Sequence, residues 1–161
     1  FENILKSLKN KKINAMVIAP NTDPGNRKIF KVIEKYRTDK NFVFYKSLER
    51  NIFLSVYKQS DFIIGNSSSG VVEAASIPIP CVNVGLRQIG RYSGDNVVFC
   101  DTDILSIENA IQKVKSKKFL DNLYGFKNPY GDGNSSRKAY DIIKKTDFKK
   151  FLLKKEDALE L

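Results

Sequence analysis

The chain has 161 residues, of which 42% are hydrophobic, and this is enough to bury the core of one domain. Lys and Arg number 28 against 18 Asp and Glu, which gives a formal net charge of +10. Every apolar run is far shorter than the roughly 20 residues that cross a bilayer, so the sequence excludes a helical membrane span.

The chain opens with an amphipathic segment, Phe1–Lys9, followed by a compact apolar run at Asn14–Ala19. Apolar positions then recur at helical spacing as far as Tyr36, so this part predicts helix, strand and helix. Because the first residue is Phe rather than Met and nothing resembles a signal peptide, we expect a chain trimmed at its N-terminus and a cytoplasmic setting.

The same alternation of short apolar runs and amphipathic segments continues along the chain. It predicts an α/β fold, a Rossmann-like parallel sheet with helices on both faces. Helices are expected around Ile52–Tyr57, from near Ser69, across Ile104–Val114 and from near Ser136. The later strands are expected at Phe42–Tyr45, Phe62–Ile64, Cys81–Val84 and Val97–Cys100.

Residue types and motifs that the chain lacks exclude several kinds of site. The chain has no histidine, and its two cysteines, Cys81 and Cys100, lie far apart in strand-like runs. We therefore expect buried free thiols in a reducing compartment, with no metal site and no Ser-His-Asp triad. No cofactor is predicted. A P-loop and a dinucleotide-binding glycine pattern are also missing from the sequence.

The segment Gly65–Gly70, Gly-Asn-Ser-Ser-Ser-Gly, follows a predicted buried strand and opens a predicted helix. Ligands bind beyond the carboxyl ends of parallel strands, and a helix start offers unpaired amides to phosphate. Ser67, Ser68, Ser69 and Gly70 are therefore candidates for a phosphate cradle. A Ser-rich turn that only caps a helix would show the same pattern.

Charged side chains accompany that cradle. Glu73 follows within one to two helical turns and could accept hydrogen bonds from a ribose diol, or simply complement the helix dipole. Arg87 and Arg91 follow the strand Cys81–Val84, and arginine suits bidentate contact with phosphate. Together these residues predict a site for a phosphate-bearing ligand.

The basic excess gathers at the C-terminal end among apolar residues. This arrangement is typical of the solvated face of an amphipathic helix. A surface for anionic lipid, nucleic acid or another subunit is the alternative reading. The lysines in question are Lys144, Lys145, Lys149, Lys150, Lys154 and Lys155.

Three segments in the same order resemble the hydrolysing branch of the UDP-N-acetylglucosamine 2-epimerase family. They are Gly65–Ala74, Ile79–Arg91 with its Asn-Val-Gly-Leu-Arg-Gln-Ile-Gly-Arg run, and Asn128–Asn134 with Asn-Pro-Tyr-Gly-Asp-Gly-Asn. The resemblance implies one half of a glycosyltransferase-B-type architecture. Residues 1–161 would be the C-terminal UDP-binding domain, with the N-terminal domain absent.

The resemblance also implies roles for individual residues. Ser67 and Ser68, with the amides into Gly70, would hold the diphosphate, and Glu73 would bind the ribose hydroxyls. Arg87 would contact the nucleotide from the facing loop, and Asn21 would lie near the sugar and phosphate. Two apolar residues, Leu48 and Phe53, would flank the uracil.

The activity implied by the resemblance is anti elimination of UDP followed by addition of water, which releases N-acetylmannosamine for sialic-acid-type biosynthesis. The acid and base groups would come mainly from the absent domain, so the fragment alone is expected to be inactive. The implied partner is a UDP-sugar, with no nucleic acid or membrane, and the full-length protein is expected to form a homo-oligomer.

Alternatives remain open at this stage. A glycosyltransferase of the same architecture could also use the Ser-rich loop and Glu73. A basic module binding nucleic acid or a membrane surface is supported by charge alone. The sequence leaves the sugar undecided between N-acetylglucosamine and a diacetamido derivative.

Overall fold

A computed structural model describes residues 1–21 and 24–151 of the chain. They form two compact units, Phe1–Tyr130 and a smaller one that begins at Gly131. The first unit alternates helices and strands as the sequence predicts. Its elements are α1 (Glu2–Asn10), β1 (Ala15–Ile18), α2 (Asn26–Tyr36), β2 (Phe42–Tyr45), α3 (Arg50–Gln59), β3 (Ile63–Gly65), α4 (Glu73–Ser76), β4 (Cys81–Val84), β5 (Val97–Cys100), α5 (Ile104–Val114) and α6 (Lys117–Asn122).

The strands pair in parallel but form two sheets rather than one. β1 pairs with β2, with Ala15 opposite Phe42, while β3, β4 and β5 are hydrogen-bonded in that order. The prediction of an α/β fold with parallel strands is confirmed.

The core lies on both faces of the β3-β4-β5 sheet, because successive side chains of a strand point to opposite sides. On one face, Val82 and Val84 of β4 pack in a large cluster with α1, α2, α5, β1 and β2. On the other, Cys81 packs in a smaller cluster with Tyr57 of α3 and Ala74 of α4. Helices therefore cover this sheet from both sides.

The β1-β2 sheet is buried on one face only. Val17 and Phe42 belong to the large cluster. The side chains pointing the other way are exposed, from 38% at Ile18 to 54% at Val43, with Met16 and Tyr45 between them. An apolar sheet face of this kind is uncommon on a free protein surface.

The segment after β3 differs from the sequence prediction. We expected one helix from near Ser69, but the chain forms a 3₁₀ turn at Ser68–Gly70 and then the four-residue α4. Such short pieces align few peptide dipoles, so the positive helix end expected here is weak. The break follows from β-branched Val71 and Val72, which favour helix less than strand.

The second unit contains α7 (Ser135–Lys145) and a 3₁₀ turn at Phe148–Phe151. The helix expected from near Ser136 is confirmed as α7, but it does not continue to Lys149, since it ends where Thr146 becomes extended with ψ of 123°. A new turn then starts at Asp147, whose carboxylate accepts from the Lys149 amide at 3.2 Å. Lys144, Lys145, Lys149 and Lys150 are exposed as expected. Lys154 and Lys155 lie outside the described residues.

Both cysteines are free thiols, as the sequence predicts, but only Cys81 is buried as expected, whereas Cys100 is partly exposed. Burial is the main cause that raises the pKa of Cys81 to about 12 and that of Cys100 to about 11. Among the described residues, no helix is both long and apolar enough to cross a membrane.

Candidate functional site

The candidate site is built at the carboxyl ends of β3 and β4. These strands run in parallel with Gly65 opposite Asn83, so the loops that follow them leave the sheet at the same edge. This edge is where open parallel sheets bind ligands. The two loops carry the Ser-rich turn and the arginines singled out in the sequence.

The Ser-rich turn is held by bonds within itself. The Ser67 hydroxyl accepts from the Ser69 amide at 3.3 Å, and the Gly70 amide donates to the Ser67 carbonyl at 3.2 Å. The amides of Ser69 and Gly70 therefore already have acceptors within the turn. The sequence analysis expected all amides as far as Gly70 to face a diphosphate, and these two donate elsewhere instead. The exposed side chains of Ser67 and Ser68 remain on the solvent side.

Gly70 sets how closely this turn packs on the sheet. A Cβ built on Gly70 would lie 2.6 Å from the Sγ of Cys81, inside van der Waals distance. Any larger residue would therefore push the turn away from β4. Gly70 is buried, so its role in this structure is packing beneath the turn.

Tyr57 of α3 holds the turn from the other side. Its hydroxyl forms a short hydrogen bond with the Ser69 hydroxyl. Burial raises the pKa of Tyr57 to about 12, the bond to Ser69 opposes that rise, and the charge of Glu73 adds a smaller upward contribution. Glu73 is half-buried at the first residue of α4, four residues after Ser69.

A second long-range bond ties the two loops together. The Nε2 of Gln88 donates to the backbone carbonyl of Asn66 at 2.9 Å, and Gln88 is only 1% exposed. The loop reverses at Gly85, where φ is +84° and few side chains are tolerated. Arg87 and Arg91, on either side of Gln88, are exposed. Buried Gln88 thus fixes the segment that presents both arginines beside the Ser-rich turn.

The other three predicted residues follow β1 and β2 or lie on α3. Asn21 is exposed after β1, and its carbonyl accepts from the side chain of Asn26 at 3.1 Å. Its neighbours Thr22 and Asp23 lie outside the described residues. Leu48 is half-buried in the loop after β2. The ring of Phe53 packs on Tyr57, with centroids 4.4 Å apart, and supports the smaller core cluster.

Two hydrogen bonds join the Asn-Pro-Tyr segment to residues near the candidate site. The side-chain amide of Asn128 donates to the hydroxyl of Ser76, the last residue of α4, at 3.1 Å. The hydroxyl of Tyr130 donates to the Tyr92 carbonyl, and the two rings meet edge to face at 6.2 Å. Asn128 and Tyr130 thereby link this segment to the ends of both loops that carry the candidate site.

A cleft of about 470 Å³ lies beside this region rather than over the Ser-rich turn. None of the predicted UDP-binding residues lines it. Its walls are Tyr92, Ser93, Gly94, Asp95, Asn122, Tyr124, Gly125, Phe126, Lys127, Asn128 and Pro129.

Sequence reasoning missed Tyr57 and gave Gln88 no role of its own. Tyr57 follows Phe53 by one helical turn and was interpreted only as part of an apolar helix face. Gln88 stands between two arginines, a position typical of a surface loop. Only its burial shows that it is a structural residue.

Comparisons with known proteins identify the family of the chain. Residues 1–144 match the family model described as UDP-N-acetylglucosamine 2-epimerase. The chain is 32% identical over 144 residues to a Legionella pneumophila UDP-N,N'-diacetylbacillosamine 2-epimerase (hydrolyzing), covering 89% of this chain and 37% of the relative. It is 36% identical over 103 residues to a Neisseria meningitidis UDP-N-acetylglucosamine 2-epimerase, covering 64% and 27%.

The fold has a solved counterpart in Methanocaldococcus jannaschii UDP-GlcNAc 2-epimerase, determined in complex with UDP-GlcNAc and UDP. The TM-score is 0.67 at 19% identity, over 89% of this chain and 39% of that one. The chain thus spans less than two fifths of the length of these relatives. The family model covers the Ser-rich turn, the arginine loop and the Asn-Pro-Tyr segment together, and the chain belongs to the UDP-N-acetylglucosamine 2-epimerase family.

Proposed function

We propose that the chain is the UDP-binding half of a hydrolysing UDP-N-acetylglucosamine 2-epimerase. The observation that carries the proposal is the Ser-rich turn. Tyr57 holds it on one side, and on the other Gln88 joins it to the loop that carries Arg87. A turn fixed on both sides presents its hydroxyls without reorganising when an anion arrives.

In this proposal each part of the site meets one part of UDP. Ser67 and Ser68 donate to the diphosphate, with Arg87 and Arg91 adding positive charge from the neighbouring loop. The Glu73 carboxylate accepts from the ribose hydroxyls. Asn21 is assigned to the sugar and phosphate, and Leu48 and Phe53 are assigned to the uracil.

The proposed reaction begins when the C1–O bond to UDP breaks and the C2 proton leaves, which forms a 2-acetamidoglucal. Water then adds across the new double bond and releases the free 2-epimeric sugar. The residues of this chain would stabilise the charge that develops on the leaving diphosphate. The proton-transfer groups would be supplied by another domain, so this chain alone should not turn over substrate.

The hydrolysing type and the sialic-acid-type pathway are part of the proposal. The relative from Legionella pneumophila carries the hydrolysing name and acts on a diacetylbacillosamine sugar, and it shares 32% of residues with this chain. The residues proposed for this chain address the nucleotide, so the proposal leaves the N-acetyl and the diacetamido sugar equally open.

The test is calorimetric titration of UDP into the chain, compared with uridine. UDP is expected to bind, and uridine much more weakly, because the diphosphate contacts are lost. Arg87→Ala should weaken UDP binding. The matched control, Lys149→Glu with Lys150→Glu, alters charge in the second unit and should leave affinity nearly unchanged at moderate salt. Equal affinity for UDP and uridine would refute the proposed diphosphate site.

A further inference from the structure

The cleft of about 470 Å³ lies between two stretches of the chain, residues 92–95 before β5 and residues 122–129 at the end of α6 and beyond it. Its volume falls within the range of about 300–1,000 Å³ that is typical of small-molecule sites. All of its lining residues belong to the first unit. None of them has a role in the proposed UDP site, so the cleft is a separate feature of the molecule.

Part of the cleft lies at the edge of the sheet opposite the Ser-rich turn. Gly94 and Asp95 come just before β5, and the Gly94 carbonyl accepts from the Val97 amide at 3.2 Å. The side chain of Asn96 donates to the Ile79 carbonyl at 3.0 Å, two residues before β4. The Ser-rich turn instead follows the carboxyl end of β3, and the three strands run in parallel. A ligand held against these residues would lie apart from the proposed UDP site.

Both walls of the cleft are fixed by contacts within the chain. A Cβ built on Gly94 would lie 2.5 Å from the Cζ of Phe126, so only glycine lets the two stretches pack this closely. The Tyr92 ring meets the Tyr130 ring edge to face at 6.2 Å, and the Tyr130 hydroxyl donates to the Tyr92 carbonyl. The side chain of Asn128 is bonded to the end of α4 at 3.1 Å. A site that is formed in advance loses less affinity to the ordering of its residues.

Two tyrosine rings at the cleft are largely uncovered. Tyr124 is 85% exposed and Tyr92 is 71% exposed. Such rings supply a large and rigid contact area at little cost in side-chain freedom, and their grouping on a concave surface is typical of a binding site. The rings suit a ligand that has a flat apolar face.

The polar groups of the cleft favour a neutral ligand with hydroxyl groups. Its charged lining residues are Asp95 and Lys127, which have opposite signs. The cleft therefore has no net charge although the chain carries +10, and this disfavours a phosphate-bearing ligand. A carboxylate only accepts hydrogen bonds, an ammonium group only donates them, and the side-chain amide of Asn122 does both. Hydroxyl groups donate and accept, so a ligand that carries several can pair with all three.

We propose that this cleft binds a neutral saccharide. The pyranose ring lies against the rings of Tyr92 and Tyr124, and its hydroxyl groups bond to Asp95, Asn122 and Lys127. A pyranose combines the two properties that the cleft requires, a flat face of C–H groups and a rim of groups that both donate and accept. The proposal does not depend on the UDP function, because no residue assigned to UDP takes part.

The experiment is an NMR titration of the isotope-labelled chain that follows its backbone amides. The probes are the methyl pyranosides of glucose, galactose and mannose, and N-acetylglucosamine. At least one of them should shift the amides of residues 92–95 and 122–128, with a dissociation constant on the order of 1 mM, as expected for a ligand of so few atoms. Sorbitol has similar hydroxyl groups but no ring face, so it should bind about tenfold more weakly.

A pair of matched variants tests the contact with the aromatic ring. Tyr124→Ala should weaken binding of the sugar about tenfold, with little change in melting temperature because the ring is exposed. Tyr140→Ala is the control, since it removes a ring that is 61% exposed on α7 in the second unit, and it should leave sugar binding unchanged. UDP affinity should be the same in both variants, which separates this site from the proposed UDP site.

Three results would overturn the proposal. The first is no shift in the cleft with any of these sugars at about 50 mM, well above the expected dissociation constant. The second is shifts confined to the Ser-rich turn, which would assign the sugar to the UDP site instead. The third is an equal response of the cleft to inorganic phosphate, which would make it a site for anions.

Discussion

The side chain of Gln88 reaches across 22 residues to hydrogen-bond the backbone of Asn66 at 2.9 Å. Through this bond the conformation of the loop after β4 depends on that of the loop after β3. The candidate site consequently behaves as one unit rather than as two flexible loops.

Gln88→Ala should separate the two loops. It removes the bond to the carbonyl of Asn66, an exposed residue that water can reach, so a loss of about 0.5–1.5 kcal/mol in the free energy of unfolding is expected. UDP affinity should fall as well, because Arg87 is no longer held beside the turn. Thermal unfolding and calorimetry measure the two effects. Arg91→Ala, which leaves the bond intact, is the control and should change stability little.

Glu73→Ala tests the ribose contact. A charged acceptor contributes about 1.5–3 kcal/mol per hydrogen bond, so UDP should bind roughly ten- to a hundredfold more weakly. The matched control is Glu34→Ala, which removes an exposed carboxylate on α2 paired with Arg37 at 3.2 Å. UDP affinity that is unchanged in Glu73→Ala would show that this residue only supports its helix.

The protein is expected to lose folding stability at high pH because of Tyr57. Its pKa is raised from 10.0 to about 12, so the folded state holds the proton more tightly than the unfolded state. Its contribution is fully present below pH 10 and is lost as the pH rises toward 12. Urea unfolding across this range, compared with Tyr57→Phe, measures it. The variant should lack this component of the pH dependence while keeping the ring contact with Phe53.

Gly70→Ala tests the packing of the turn on β4. The new methyl group would meet the Sγ of Cys81 at 2.6 Å, and overpacking of this kind costs about 1–3 kcal/mol. The double variant Gly70→Ala with Cys81→Ala removes the opposing sulfur and should recover part of the lost stability. Melting temperatures of the two single variants and the double variant complete the cycle. Purely additive losses would contradict a direct clash.

Strands were the part of the fold that could be predicted most closely. Phe42–Tyr45, Cys81–Val84 and Val97–Cys100 have the predicted limits. Each is a compact apolar run followed or preceded by polar or turn-forming residues, so local pattern alone determines it. Their division into two sheets depends on pairing between distant segments, which no local pattern carries.

Helical segments were predicted less well where hydrogen bonds from side chains to the backbone interrupt the helix. Thr146 bonds the Ile142 carbonyl at 2.6 Å, and Asp147 starts a new turn, so the basic C-terminal helix is interrupted. The Ser-rich turn was correctly placed after β3, but the Ser67 hydroxyl caps a short 3₁₀ turn instead of a long helix. Tyr57 could not be assigned to it because the two are joined only by tertiary folding.

The outward face of β1 and β2 has a practical consequence for handling this chain in solution. Met16, Ile18, Val43 and Tyr45 offer an exposed apolar surface next to a strand edge, the combination that promotes edge-to-edge aggregation. The net charge of +10 opposes association by mutual repulsion. Added salt screens that repulsion without covering the surface, so the chain should stay dispersed in dilute buffer and become turbid as ionic strength rises.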